Sequence, residues 1–171
     1  MKKHSAGLLV YRTKNGQTEV LLAHMGSPWW AKKDKGAWSI PKGEYLEDED
    51  PLAAAKREFN EELGQPVPDG DLLELGLIEQ NNNKTVIAWA LPADLDVRHI
   101  TSNKISIEWP PRSGKKMEYP EIDRAEYFPL AQAAAKMVTG QPQLLQRLAD
   151  ILGVPYNPDS EPKPPSQASL F

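Results

Sequence analysis

The sequence predicts an α/β fold, an α/β/α sandwich in which helices cover both faces of a mixed central sheet. β-prone segments come before and after segments with helical periodicity, and strands grouped around a few helices pack as layers of helix on sheet. The 171 residues, 40% of them hydrophobic, are enough for one well-filled core and too few for two. We therefore expect one domain, at residues 1–155.

The first elements are a β-hairpin and a loop. Residues 6–12 and 19–24 are apolar and β-prone, and the turn between them contains Asn15-Gly16. This dipeptide is typical of a tight connection between antiparallel strands. We expect the next segment, residues 25–35, to be a loop.

A helix is predicted at residues 51–63. Asp50 can cap its N-terminus, Pro51 suits the first helical position because its missing N–H costs nothing there, and Gly64 ends the helix. One apolar stripe, with steps of three and four residues, faces the core. The stripe consists of Leu52, Ala55, Phe59 and Leu63. Another side of the helix carries Glu58, Glu61 and Glu62.

The remaining segments complete the sandwich and add a tail. We expect strands at residues 72–80, 85–91, 104–109 and 125–128. Two helices follow, near residues 130–138 and 142–152, and Gly153 closes the second. Residues 156–171 are rich in Pro, Ser and Gln, so this segment is predicted to be a flexible tail. A peptide ligand for a proline-binding partner is the alternative.

Composition and charge exclude several classes of protein. The net charge of −4 argues against a general nucleic-acid binder, which needs a basic face to neutralise phosphates. No apolar run approaches a membrane span, and the N-terminal residues lack a signal-peptide pattern. The chain contains no cysteine, which excludes disulfides and thiolate chemistry. We expect a cytoplasmic protein.

The three glutamates of the predicted helix are its most informative feature. Each pair of like charges three or four residues apart destabilises a helix by about 0.2–0.5 kcal/mol. Glu61 and Glu62 also lie near the negative end of the helix dipole, where anions are disfavoured. Mg²⁺ would offset this repulsion, because it binds carboxylate oxygens together with water and phosphate. A solvated acidic face is the other interpretation of Glu-x-x-Glu-Glu taken alone.

The surrounding residues favour the metal site. From Gly43 to Gly64 the sequence is Gly-x5-Glu-x7-Arg-Glu-Phe-x-Glu-Glu-x-Gly. This pattern resembles the signature of the Nudix hydrolases, which cleave a nucleoside diphosphate linked to another moiety. Every charged and glycine position matches, whereas Gln65 stands where the family has a bulky aliphatic residue. A chance match at so many fixed spacings is improbable.

The resemblance implies a Nudix-type α/β/α sandwich and a metal site for Mg²⁺, with Mn²⁺ as a substitute. The implied metal ligands are Glu58, Glu61, Glu62 and the backbone carbonyl of Gly43. Glu49 and Arg57 resemble the buried pair that orients the loop on the helix. Arg57 comes one residue before Glu58, so we expect it to point away from the metal ligands, and its planar fork suits a bidentate carboxylate partner.

Residues outside the signature are predicted to bind substrate. The segment Trp-Ser-Ile-Pro-Lys-Gly resembles the approach to the signature in nucleotide-polyphosphate members, and its Lys42 either meets a phosphate or is solvated. Trp29 and Trp30 precede three lysines. They either stack on a base or cover the edge of the core. Arg112, in a second basic loop, either closes over phosphate or is solvated.

The predicted reaction is metal-dependent hydrolysis of a pyrophosphate linkage in a nucleoside or dinucleoside polyphosphate, of the diadenosine tetraphosphate or NTP type. Several Nudix enzymes use a glutamate from the region of Glu121 as a further metal ligand or general base, so Glu61 and Glu121 are both candidates for the base. Two alternatives within the same chemistry stay open: hydrolysis of the cap or triphosphate at an RNA 5′ end, and cleavage of ADP-ribose. A catalytically silent nucleotide sensor is the alternative from another class, against which the intact set of acids argues.

Overall fold

The computed structural model describes residues 1–159. Most of the predicted tail, residues 160–171, lies outside the described part. In chain order the elements are β1 Lys3–Lys14, β2 Gln17–Met25, β3 Trp38–Ser39, β4 Lys42–Glu44, α1 Pro51–Leu63, β5 Leu73–Asn81, β6 Lys84–Pro92, β7 Lys104–Glu108, β8 Lys116–Pro120, β9 Ile122–Pro129, α2 Leu130–Lys136 and α3 Pro142–Leu152.

The main sheet is mixed and contains seven strands. Its central order is β3-β2-β1-β6-β5, with β4 paired to β1 and β9 paired to β2. β1 and β6 are parallel, whereas β1–β2, β2–β9 and β5–β6 are antiparallel. The predicted first hairpin is confirmed, since β1 and β2 pair on either side of the turn at Asn15 and Gly16.

Helices cover both faces of this sheet, so the predicted sandwich is confirmed. Side chains alternate between faces along a strand. Accordingly, Leu8 and Val10 of β1 belong to a core cluster with Phe59 of α1, whereas Leu9 belongs to a second cluster with Leu148 of α3. α1 lies on one face, and α2 and α3 lie on the other.

Helix α1 has the predicted bounds and the predicted ends. The Asp50 side chain accepts a hydrogen bond from the Ala53 amide, and Gly64 ends the helix in the left-handed conformation, with φ of 67°. Phe59 and Leu63 of the apolar stripe are fully buried. The same stripe fixes the rotation of the helix, which turns its acidic side toward β4 and the segment between β6 and β9.

A second, two-stranded sheet was only half predicted. β7 pairs with β8 in antiparallel register, although the sequence predicted β7 alone. Most residues of β8 are exposed, so buried and exposed side chains do not alternate along it. The sequence therefore has no core-facing pattern that would mark this segment as a strand. None of the helices within residues 1–159 combines the length and hydropathy of a membrane span.

Candidate active site

One cleft collects most of the predicted site residues. Its volume is about 480 Å³. The predicted site residues among its lining are Trp30, Lys42, Gly43, Glu58, Glu61, Glu62 and Glu121. These residues come from α1, from β4, from the loop after β2 and from the residue between β8 and β9, so the fold brings together groups that are distant in sequence.

Gly43 lies against the Glu58 carboxylate. Pairing of β4 with β1 places Gly43 opposite Ala6 and next to α1. A Cβ atom at Gly43 would lie 1.9 Å from Glu58 Cδ and 2.3 Å from both carboxylate oxygens. Only glycine at position 43 leaves room for the Glu58 carboxylate in this position, because any other side chain would displace it.

Glu62 is a buried carboxylate, with 4% of its surface exposed. Its Oε2 accepts a hydrogen bond from the Lys42 backbone amide at 3.3 Å. Burial raises the pKa of Glu62 well above its usual value, and repulsion by Glu121 raises it further. Burial likewise lowers the pKa of Lys42, although Glu62 opposes that shift. The charged groups of both residues are therefore poorly solvated.

Arg57 contacts both Glu49, its predicted partner, and two glutamates of α1. Its guanidinium donates to Glu49 at 2.5 Å and to Glu58 at 3.1 Å, and its Nε lies 3.7 Å from Glu61. The expectation that Arg57 points away from these acids was wrong. Neither member is fully buried, since the side chains of Arg57 and Glu49 are 44% and 26% exposed. The long arginine side chain lies along the surface of α1 and reaches residues one and four positions on.

Glu121, the residue between β8 and β9, lines the same cleft as the glutamates of α1. Burial raises its pKa, and a hydrogen bond from the Asn103 side chain opposes that shift. The backbone of Asn103 also joins Glu121 to α1, because its N–H donates to the backbone carbonyl of Glu61 and its carbonyl accepts from the Glu121 amide, both at 3.0 Å. Asn103 thus holds Glu121 at a set position relative to the end of α1.

The carboxylates of the cleft repel one another. Burial is the main cause that raises the pKa of Glu58, Glu61 and Glu121 raise it further, and Arg57 opposes the shift without cancelling it. With Glu62 and Glu121, three acids in one cleft have pKa values above the usual one. The local cations do not compensate for the loss of solvent, so the cleft favours an added positive charge.

This donor set fits a divalent metal ion. Carboxylate oxygens are the ligands that Mg²⁺ prefers, and burial with mutual repulsion is what such an ion relieves. Within residues 1–159, no group of three or more acidic or histidine side chains is already drawn together as a metal site. In the described structure Arg57 engages Glu58 and the Lys42 amide engages Glu62, so binding requires these carboxylates to change partners.

We expect the metal-free protein to lose stability as the pH rises. A carboxyl group whose pKa is raised by folding binds protons more tightly in the folded state, so stability falls from about pH 4.3, the ordinary glutamate value, upward to the folded value. Thermal unfolding in a chelating buffer should show a higher midpoint at about pH 5 than at about pH 7.

The matched variant for this experiment is Glu62→Gln, which removes the most strongly buried of the titrating groups. Its midpoint should depend less on pH over the same range. If the unfolding midpoint of this variant depends on pH as strongly as that of the wild type, the cleft acids do not govern the pH dependence of stability.

The predicted substrate contacts divide into two groups. Trp30 lies in the cleft wall, with the Lys33 ammonium 4.9 Å from the centre of its ring. Trp29 and Arg112 are not among the residues that line the cleft. Trp29 is 52% exposed and packs edge-on against Trp109, with ring centres 4.7 Å apart, while Arg112 lies between β7 and β8.

Several cleft residues have no signal in the sequence, among them Lys84, Asn103, Ile105 and Tyr119. Lys84 begins β6, and parallel pairing with β1 brings it opposite Lys3. Ile105 and Tyr119 are paired across the β7–β8 hairpin. Because these positions depend on strand pairing over long sequence separations, no local spacing indicates them.

Comparisons with known proteins agree with this fold. A sequence profile described as NUDIX domain matches residues 1–148. The structure is similar to a C. elegans Ap4A hydrolase, with a TM-score of 0.62 and 22% identity over 88% of this chain and 98% of that one. It is also similar to the NUDIX domain of Shewanella oneidensis NrtR complexed with ADP ribose, with a TM-score of 0.59 and 14% identity over 89% of each chain. None of the curated protein sequences matches this chain.

A further similar structure is RenU, a Nudix hydrolase from M. smegmatis, with a TM-score of 0.55 and 21% identity over 91% of this chain and 89% of that one. At such identities the likeness shows the fold. The profile, which covers most of the sequence, shows that the chain belongs to the Nudix family. It is a hydrolase that acts on phosphoanhydride bonds, and hydrolases of this family generally use divalent metal ions.

Proposed function

We propose that this chain hydrolyses a pyrophosphate linkage in a dinucleoside polyphosphate or a nucleoside triphosphate. One observation carries the proposal, namely that five glutamates, two half-buried lysines and a tryptophan line the same cleft. The acids suit a metal-assisted reaction on phosphate, the lysines suit an anionic substrate, and the aromatic ring suits a nucleobase.

Glu58, Glu61 and Glu62 would hold Mg²⁺, with Mn²⁺ as a substitute, and the backbone carbonyl of Gly43 would add a ligand. When bound, the metal would draw charge from the phosphoryl oxygens and make water more acidic. Arg57 contacts Glu58 and Glu49 and would hold the first carboxylate in place. Positioning and charge stabilisation of this kind supply most of phosphoryl-transfer catalysis.

Glu121 would accept the proton of the attacking water. A general base works best when its pKa lies near the working pH, and burial raises the pKa of Glu121 toward that range. The Asn103 side chain, which hydrogen-bonds Glu121, would direct the carboxylate. Lys42 would meet the phosphate released from the linkage as a compact positive charge.

We expect Glu121→Gln to lower kcat by about 10²-fold or more, the usual contribution of a positioned base. The variant should also lose the acidic limb of its pH–rate profile, because glutamine does not titrate. Steady-state rates between pH 5 and pH 8, on the order of the range over which such bases titrate, measure both effects. If the limb stays in this variant and disappears in Glu61→Gln, Glu61 is the base.

The substrate class is inferred from the aromatic wall of the cleft. Trp30 presents a ring beside the Lys33 ammonium, a pairing that suits a base stacked next to a phosphate chain. The similar C. elegans structure is that of an Ap4A hydrolase, which supports a substrate with several linked phosphates. We therefore favour diadenosine tetraphosphate and related compounds over shorter nucleotides.

A product-resolved hydrolysis screen tests this proposal. The panel contains dinucleoside polyphosphates, nucleoside triphosphates, ADP-ribose and RNA with a 5′-triphosphate, each with Mg²⁺ or Mn²⁺ in ¹⁸O water. We expect the fastest turnover with a dinucleoside polyphosphate, and the labelled product identifies the attacked phosphorus. Fastest turnover of ADP-ribose or RNA would reassign the substrate, and binding of nucleotides without turnover would indicate a sensor.

A further inference from the structure

The β7–β8 hairpin has an apolar face that the core of the domain does not use. Side chains alternate between faces along a strand, and the cross-strand pairs Ile105–Tyr119 and Ile107–Met117 share one face. The two core clusters of the described residues contain none of these four side chains. Met117 is 39% exposed. This face is therefore apolar surface that the core leaves open.

The apolar face continues directly from the active-site cleft. Ile105 and Tyr119 line the cleft, and Ile107 belongs to the next pair along the hairpin. The ladder extends one step beyond β7, because the Trp109 backbone N–H donates to the Lys115 carbonyl at 2.9 Å. Trp109 therefore lies on the same face as Ile105, four residues and about 14 Å farther from the cleft.

Two consecutive tryptophans serve different parts of this surface. Trp30 lines the cleft beside Lys33, whereas Trp29 packs edge-on against Trp109, with ring centres 4.7 Å apart. Trp29 keeps about half of its surface exposed. Two large rings that stay open to solvent offer an aromatic surface on which a second base can stack.

The charge of the hairpin suits a polyphosphate. Residues 104–120 have a net charge of +2, in a chain whose net charge is −4. Their four basic residues outnumber the two acidic ones, Glu108 and Glu118, and are Lys104, Arg112, Lys115 and Lys116. An aromatic surface beside local positive charge is complementary to a base that is linked to phosphate.

We propose that the apolar face of the β7–β8 hairpin, with Trp29 and Trp109 at its far end, binds the second nucleoside of a dinucleoside polyphosphate. This inference rests on the proposed function, in which Trp30 contacts the first base and the acids of α1 hold the metal at the phosphate chain. The distance from the cleft to Trp109 suits a nucleoside at the other end of that chain. A mononucleotide would leave this surface empty, so the hairpin selects substrates with two bases.

Diadenosine tetraphosphate and adenosine tetraphosphate are the matched substrates for a kinetic test, because they share the phosphate chain and differ by the second adenosine. We expect Trp109→Ala to lower the ratio of their kcat/KM values about 10-fold or more, mainly through the KM of the dinucleotide, since one base–aromatic stack is lost. Trp109→Phe keeps a ring and should retain most of the ratio.

The control for these variants is Ile151→Ala. It removes an exposed apolar side chain of α3 that does not line the cleft, so the ratio should match that of the wild type. Equal losses on both substrates with Trp109→Ala would mean that the contact between Trp29 and Trp109 only holds the hairpin in place, which would overturn the proposal.

Nitrogen-15 NMR of the five tryptophan indoles tests binding without a measurement of turnover. With Ca²⁺ in place of Mg²⁺, we expect diadenosine tetraphosphate to shift the Trp29 and Trp109 resonances, assigned with Trp→Phe variants, and adenosine tetraphosphate to leave them unchanged. Unchanged resonances with the dinucleotide would overturn the proposal, as would shifts given only by RNA with a 5′-triphosphate. If the shifts occur but the hydrolysis screen gives no turnover, the proposed function fails and the second-base site stands.

Discussion

Glu61→Gln is expected to lower kcat by about 10²-fold or more, because the variant loses a proposed metal ligand that is also a candidate base, and a positioned base contributes about 10²–10⁴-fold. The substitution keeps the shape of the side chain and removes the negative charge that would hold the metal. Because the Glu61 side chain is 42% exposed, the folded structure does not depend on it. Steady-state hydrolysis and thermal unfolding of the same preparation separate the two effects.

The matched control is Glu47→Gln. Glu47 is exposed and does not line the cleft, so its variant should keep wild-type turnover. Equal rates for Glu61→Gln and wild type, with both folded, would remove Glu61 from the proposed metal site. Equal losses in the two variants would point to a general effect of charge.

Gly43→Ala should disable the site through a single methyl group, with a loss of kcat of about 10–100-fold or more, as when a residue that supports a metal ligand is removed. The new Cβ would overlap the Glu58 carboxylate, 1.9 Å from its Cδ. That carboxylate is the far end of a flexible side chain, so it can rotate away while β4 keeps its pairing. We expect activity and metal affinity to fall while the midpoint of thermal unfolding changes little.

Gly70→Ala is the control for this methyl group. A Cβ at Gly70 approaches only Leu91 Cδ1 closely, at 3.0 Å, and Leu91 belongs to β6, away from the cleft lining. This variant should keep wild-type turnover. If Gly43→Ala instead lowers the unfolding midpoint strongly and keeps its turnover in the folded fraction, then β4 moves rather than Glu58.

Local patterns predicted most of the elements. The ends of α1 follow from Asp50, Pro51 and Gly64, whose preferences act within one helical turn, and α1 has these ends in the structure. The first hairpin follows equally from its Asn-Gly turn. β3, β4 and β8 were not predicted, since strands of two to five residues without alternating burial carry no periodic signal.

The candidate site was predictable where its residues share one helix. A spacing of three and four residues places Glu58, Glu61 and Glu62 on one side of α1 whatever the rest of the chain does. The orientation of Arg57 was wrongly predicted, because a long side chain selects its partners from whatever carboxylates lie within reach. The sequence also contains no sign of which aromatic residue faces the cleft, and the structure brings Trp30 there and Trp29 onto Trp109.

The sequence alone therefore determined the family signature, the acidic face of α1 and the hydrolase class, because these depend on residue type and short-range spacing. The tertiary structure decided which distant groups meet that face. Parallel pairing of β1 with β6 brings in Lys84, and the hydrogen bonds of Asn103 connect Glu121 with the end of α1. Contacts between residues far apart in the chain depend on the packing of whole layers, which no local pattern encodes.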